Sequence, residues 1–308
     1  MQSGDKNIKR LIPIVMSLFF DVLPTELKEK FVHLPMSQVN EIRLRVNAPV
    51  VICINGRNMV LDDVSVTRTD LDTILHKASN YSIYSVNEQL KQGFLTIRGG
   101  IRIGIAAEIV TEHGEVLSVK NIHALNVRIP HEIRNCSYPI LNYIFENPRP
   151  LKTLIISPPG CGKTTFLRDL SLQISDKYQL LNTLILDERG EIAANHLGEN
   201  QLDVGSFTDV ISGCTKSYGF ENGIRSMRPD VIITDEVATK KDIEMLSLAA
   251  RSGVSVIATV HASGIDEIRT KPYFKELIDD RVFARYIVLE GLGKVSGVYD
   301  KNLKLLAL

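Results

Sequence analysis

Ser157-Pro-Pro-Gly-Cys-Gly-Lys-Thr-Thr165 is the stretch on which the reading of this chain turns. An apolar run, Leu154-Ile-Ile156, leads into it and a helical pattern opens at Lys163. A glycine-bearing turn between a strand and a helix is the setting a phosphate-binding loop requires. Gly160 and Gly162 permit backbone conformations and a close approach that a Cβ would block, so the N–H groups from Gly160 to Thr164 can converge on a polyphosphate. The helix adds the positive end of its dipole at the same place. Pro158, Pro159, Gly160, Cys161, Gly162, Lys163, Thr164 and Thr165 are therefore the expected nucleotide contacts. Lys163 is expected on the β and γ phosphates and the Thr164 hydroxyl in the shell of a Mg2+ ion. The first glycine of the strict pattern is replaced by Ser157, which lies at the strand end, ahead of the part that wraps phosphate. The competing reading, a glycine-rich turn without a ligand, is disfavoured by the strand and helix around it.

Further along, Met227-Arg-Pro-Asp-Val-Ile-Ile-Thr-Asp-Glu236 is an apolar strand ending in two acids, the shape of a Walker B element. Such a strand carries its acids to the carboxyl edge of a sheet, where ligands of these folds sit. Asp235 is expected to hold the metal through water, and Glu236 to orient and polarise an attacking water. A second acidic edge, Leu184-Ile-Leu-Asp-Glu-Arg-Gly-Glu191, follows another apolar run. Carboxylates gathered near a triphosphate repel it unless a cation stands between them, so one of these acids is expected to face metal or water. Glu188 and Glu191 are the catalytic candidates; spacing does not choose between them. The alternative makes them a partner for Arg189 or the cap of a following helix. Val254 to Val260 ends in Thr259-Val-His261, and a polar group at that edge can sense the γ phosphate, which makes His261 a sensor candidate. A lone histidine is more often structural, and it is the shared sheet edge that favours function here.

Around this centre the apolar runs Thr153–Ser157, Thr183–Asp187, Val231–Asp235, Val254–Val260 and Ala284–Leu289 alternate with helical stretches, the signature of a parallel sheet covered on both faces. The expected fold is α/β, with this core preceded by a smaller α+β domain. In that first half Glu41 to Arg45 alternates, Asn55-Gly56 marks a hairpin, Asp70 to Ser79 reads as a helix, and Gly93 to Val110 reads as a second hairpin around the paired glycines Gly99-Gly100, continued by a turn at Glu112-His-Gly114. Asn147-Pro-Arg-Pro150 is the expected seam, giving domains over residues 1–146 and 147–308. Arg43, Arg45, Arg102 and Arg128 are candidate phosphate-charge partners from the first domain, though solvated surface pairs are the simpler reading for any one of them.

At 308 residues, 44% apolar and 23% charged, the chain has the composition of a soluble globular protein. Lys plus Arg and Asp plus Glu balance at 36 each, so no net attraction to nucleic acid or to an anionic membrane is built in. Cys53, Cys136, Cys161 and Cys214 form no CxxC pair, which argues against a disulfide framework or a zinc ribbon and fits a reducing cytoplasm. The apolar stretch Leu11 to Phe20 is roughly half the length of a membrane span and is expected to be an amphipathic or core helix.

Taken in order, these motifs resemble the secretion and pilus-motor ATPases of the type II and type IV systems, and most closely the sporulation member of that superfamily. Glu41 to Arg45, Ile54-Asn-Gly56 and Arg128-Ile-Pro130 are similar to the family's amino-terminal domain, Asp187 to Glu191 to its aspartate box, Met227 to Glu236 to its Walker B element, and Thr259-Val-His261 to its histidine box. The resemblance implies a RecA-like P-loop ATPase core, a homo-hexameric ring hydrolysing ATP with Mg2+ between subunits, and membrane proteins of a sporulation secretion-like complex as partners of a cytoplasmic, peripheral motor. Where pilus motors carry an arginine two residues after the Walker B glutamate, this chain has Ala238. Its sequence also closes soon after the Ala284–Leu289 run, so the helical carboxyl-terminal domain of pilus motors is not expected. Two other classes remain open. A nucleic-acid motor on the same core calls for a basic, aromatic-bearing stripe, against which stand the neutral charge, the lack of Trp and 6% aromatic residues. A non-catalytic nucleotide switch is the third.

Overall fold

The computed structural model describes residues 17–82, 86–146 and 148–306. Most of the Leu11–Phe20 stretch and Asn147 of the expected seam lie outside the described residues; of the former, Phe19 is wholly buried in a hydrophobic core. The chain forms two compact units, Met1–Glu132 with His196–Gln201, and Ile133–Asn195 with Leu202–Leu308.

In the first unit, α1 (Thr25–Phe31) is followed by β1 (Val39–Arg45), β2 (Pro49–Ile54), β3 (Arg57–Ser65), α2 (Arg68–Ala78), β4 (Phe94–Ile97), β5 (Ile101–Glu112) and β6 (Glu115–Arg128). The sheet runs β3-β2-β1-β6-β5-β4, and every pairing in it is antiparallel. Asn55 and Gly56, both with positive φ, close the β2–β3 hairpin, and His113 and Gly114 close β5–β6, because right-twisted strands need a turn of that hand. Thr67 and Asp70 form a reciprocal capping box that starts α2 where the sequence pattern put a helix. Alternation sends Ile42 and Leu44 into the core and leaves Arg43 and Arg45 exposed on the other face. Arg43 pairs with Glu41, and the Arg102 guanidinium stacks on the Phe94 ring at 3.8 Å. The segment 196–201 belongs to this unit, where Gln201 Oε1 accepts the Gly99 N–H at 2.9 Å.

The second unit holds β7 (Thr153–Ser157), α3 (Lys163–Lys177), β8 (Thr183–Asp187), β9 (Thr208–Ser212), α4 (Lys216–Met227), β10 (Val231–Thr234), α5 (Lys240–Arg251), β11 (Ser255–His261), α6 (Ile265–Thr270), α7 (Pro272–Asp279), β12 (Arg285–Gly291) and β13 (Lys294–Asp300). The sheet order is β9-β8-β10-β11-β7-β12-β13, parallel except for the last pair. Strand residues alternate between two cores. Ile155, Ile185, Ile233, Ile257 and Ile287 pack with Phe166 and Leu167 of α3, while Leu154, Leu184, Ile232 and Val256 pack with Phe220, Ile243 and Leu246 of α4 and α5. Burial on both faces is why these strands read as continuous apolar runs.

In this sheet two strands went unread, β9 and β13, both at its edges with partly polar, partly exposed sequences. The Walker B strand stops at Thr234, one residue short of the apolar pattern, because Glu236 turns into the left-handed region at φ +43. Among the described residues, no helix is long and apolar enough to cross a membrane.

Candidate active site at the carboxyl edge of the parallel sheet

The carboxyl ends of β8, β10, β11 and β7 bring the acids, the histidine and the glycine loop to one edge. Gly162 caps α3 in the left-handed conformation, φ +77, and Gly160 has φ +74, so both positions call for glycine. Lys163, the first residue of α3, is only 9% exposed. Its ammonium donates to the carbonyls of Ser157 at 3.3 Å and Pro158 at 3.0 Å, and to His261 Nδ1 at 2.9 Å. Burial pulls the Lys163 pKa below its usual value, against the opposing charges of Glu236, Cys161 and Asp235. Thr164 and Thr165 follow in the first turn of α3, half-buried.

His261 is the register partner of Ser157 across β11 and β7. With Nδ1 accepting from the Lys163 ammonium, the ring proton belongs on Nε2, which faces Glu236 Oε1 at 3.4 Å. Burial, then the charge of Lys163, lower the His261 pKa, so the neutral ring is favoured. Lys163, His261 and Glu236 thus form one chain of polar contacts, from the phosphate loop to the acid expected to handle water. Thr259 shapes the far end: its Oγ1 accepts the Glu236 N–H at 2.8 Å and its carbonyl accepts the Val237 N–H at 2.8 Å. Left-handed backbone at a residue with a Cβ costs about 1 kcal/mol or more, and these two bonds hold Glu236 in it. The outer oxygen of Glu236 pairs with Arg189 at 2.9 Å.

The acids of the second edge divide their work. Asp187 is fully buried and accepts the backbone N–H groups of Glu191, Ile192 and Ala193 at 2.8 to 3.2 Å, while Arg168 donates to the carbonyls of Glu191 and Ile192. This carboxylate organises its own loop; burial raises its pKa and the N–H donors oppose the rise. Glu188 pairs with Lys216 at 2.6 Å, and Arg189 goes to Glu236. The idea that these acids partner Arg189 or cap a following helix fails for Glu188, and among the described residues no helix intervenes before Lys216. Glu191 stands within the electrostatic reach of Asp235. Lys216 is a site residue that the sequence reading missed. It is 6% exposed, opens α4 and faces Glu188 and Asp235 across a cavity of about 290 Å³, which Arg189 and Glu236 also line. The signal was faint, because Lys216 follows the unread edge strand β9.

Burial, then the neighbouring Asp187 charge, push the Asp235 carboxyl up to about 6, against the pull of Lys216. The folded chain therefore binds this proton more tightly than the unfolded chain does. A penalty of roughly 2 to 3 kcal/mol for the ionised form is fully present above about pH 6 and fades as the pH falls towards about 4. Asp235→Asn is expected to raise the melting temperature at about pH 8 and to lose most of that gain at about pH 4.5. Thermal unfolding across that range checks it, and an equal or lower melting temperature of the variant at the alkaline end would contradict the electrostatic account.

The family model for sporulation stage III, protein AA, matches residues 20–306. The chain is 39% identical over 296 residues to stage III sporulation protein AA of Bacillus subtilis (strain 168), covering 93% of this chain and 96% of that one. Among solved structures it is similar to the ATPase DotB of Legionella pneumophila, with a TM-score of 0.57 and 17% identity over 86% of this chain and 76% of that one. It is also similar to the pilus retraction motor PilT with bound ADP, with a TM-score of 0.58 and 19% identity over 85% of this chain and 76% of that one. At those identities the likeness is one of fold, the RecA-like P-loop core.

Proposed function

We propose that this chain, which belongs to the sporulation stage III protein AA family, is a magnesium-dependent ATPase that drives a membrane-associated secretion-like complex, the channel between mother cell and forespore. In this reading it acts as a homo-hexameric ring in the cytoplasm, tied to the membrane through partner proteins, with the nucleotide-handling machinery inside residues 147–308. The observation that carries the chemistry is the contact chain Lys163–His261–Glu236 beneath a loop whose Gly160 and Gly162 are left-handed.

The residues present fit the group they would hold. Gly160 and Gly162 both hold left-handed backbone, and a buried ammonium lies beside a helix N-terminus. Magnesium-bound ATP would supply the phosphoryl bond and a cation to neutralise charge as that bond breaks. The amides from Gly160 to Thr164 and the Lys163 ammonium take the phosphates, and Thr164 and Asp235 hold the cation. Glu236 orients the attacking water and accepts its proton; Glu191 and Glu188 flank it, with Glu188 steadied by Lys216. To reach phosphate, Lys163 turns away from His261 Nδ1, and His261 reports that change to Glu236, which is a sensor's task.

The test is the ATPase rate as a function of protein concentration, with and without Mg2+. The expected result is a specific activity that rises with concentration as the ring assembles and vanishes when the metal is chelated. Specific activity independent of concentration in protein that stays monomeric with ATP would remove the ring, and no turnover at any concentration would remove the ATPase.

A further inference from the structure

We infer that the tight turn joining β12 to β13, with Leu292 at its apex, is the wall against which the purine ring of the bound nucleotide lies. This deepens the nucleotide-binding reading above and rests on it. The direction comes from the order of the sheet. His261, Asp235 and Glu236 stand at the ends of β11 and β10, all on one side of β7, so the terminal phosphate belongs on that side. The remainder of the nucleotide must then leave across the phosphate loop on the opposite side, where β12 is the neighbour of β7.

There the turn comes down on the loop itself. A Cβ on Gly162 would lie 2.6 Å from Leu292 Cδ1 and 3.1 Å from Leu292 Cβ, so Gly162 is bare in part to admit this side chain. One residue earlier, Cys161 Sγ approaches the Glu290 carbonyl at 3.8 Å. Leu292 nevertheless keeps 39% of its surface exposed, which leaves an apolar face open beside a strongly polar site. The apex is also held in place. Gly293 has φ +66, a Cβ on it would meet that of Cys136 at 2.9 Å, and Lys294 pairs with Glu290 at 3.0 Å across the turn. A fixed, half-open leucine beside a phosphate loop suits the flat, weakly hydrated face of a purine, which gains by dispersion and by leaving water.

Isothermal titration of the full chain with MgADP and with magnesium tripolyphosphate tests the assignment, because the second probe has the phosphates without the nucleoside. Leu292→Ala is expected to weaken MgADP by roughly tenfold and to leave tripolyphosphate within about twofold, and Leu292→Met, which keeps the volume, is expected to restore ADP affinity. An unchanged ADP affinity in Leu292→Ala, or an equal loss with both probes, overturns the wall. If the unmodified chain takes up neither probe, it is the phosphate loop itself that fails, and the wall falls with it.

Discussion

Replacing Lys163 with alanine is expected to lower turnover by at least about 100-fold and to abolish nucleotide-induced stabilisation, without unfolding the protein. A charge-assisted bond to phosphate is worth roughly 2 to 3 kcal/mol, and in a water-excluded site its loss at the transition state costs about two to three powers of ten. The fold should survive, because the ammonium is not a net support of the ligand-free state. Burial makes its charge costly, which is why its pKa is lowered, and the buried Ser157 carbonyl still accepts the Ala262 N–H at 3.3 Å when the ammonium is gone. Thermal unfolding should therefore show a melting temperature equal to or above that of the unmodified chain, and no upward shift on adding MgATP. Lys163→Arg should not rescue, since the planar guanidinium cannot occupy the narrow space between strand end and His261 that a compact ammonium fills. Turnover retained in the alanine variant would remove the phosphate-loop reading and everything built on it.

How much of this could be read from the residues depended on burial. β7, β8, β10 and β11 are covered on both faces and so appear as unbroken apolar runs, and the glycine loop is legible because its chemistry is local. The family was legible too, from the order of several motifs rather than from any one of them, and the match over residues 20–306 bears that resemblance out. Edge strand β9 was hidden because Thr208, Asp209 and Ser212 leave it only two apolar residues, and Lys216 went with it. What no spacing could give was the pairing of side chains far apart in sequence. Lys163 and His261 are separated by 98 positions, and only the neighbouring of β7 and β11 puts them 2.9 Å apart. The same holds for the acids of the second edge. Asp187 looked like one carboxylate among three, yet three backbone N–H groups from its own loop claim it, and Lys216 claims Glu188. These partners give Asp187 and Glu188 structural work, which composition cannot show.

That sorting makes Glu236 the acid whose loss should separate binding from chemistry. Its backbone is held left-handed by Thr259, its inner oxygen faces His261 Nε2, and its outer oxygen meets an exposed arginine, Arg189, that can swing away. Glu236→Gln keeps the shape and the bond from its N–H to Thr259, but the amide cannot accept a proton from water. The expected outcome is a fall in kcat of about 10² to 10³ with nucleotide affinity changed by less than about threefold. The contrast with Lys163→Ala is the informative part, since that variant should fail already at binding. Single-turnover rates together with ATP affinity measured in the same buffer would check both. If Glu236→Gln turned over at the normal rate, the water-handling role would pass to Glu191, the acid of the second edge within electrostatic reach of Asp235. If it instead lost ATP binding altogether, the contact chain through His261 would be a scaffold for the loop rather than a path from phosphate to water.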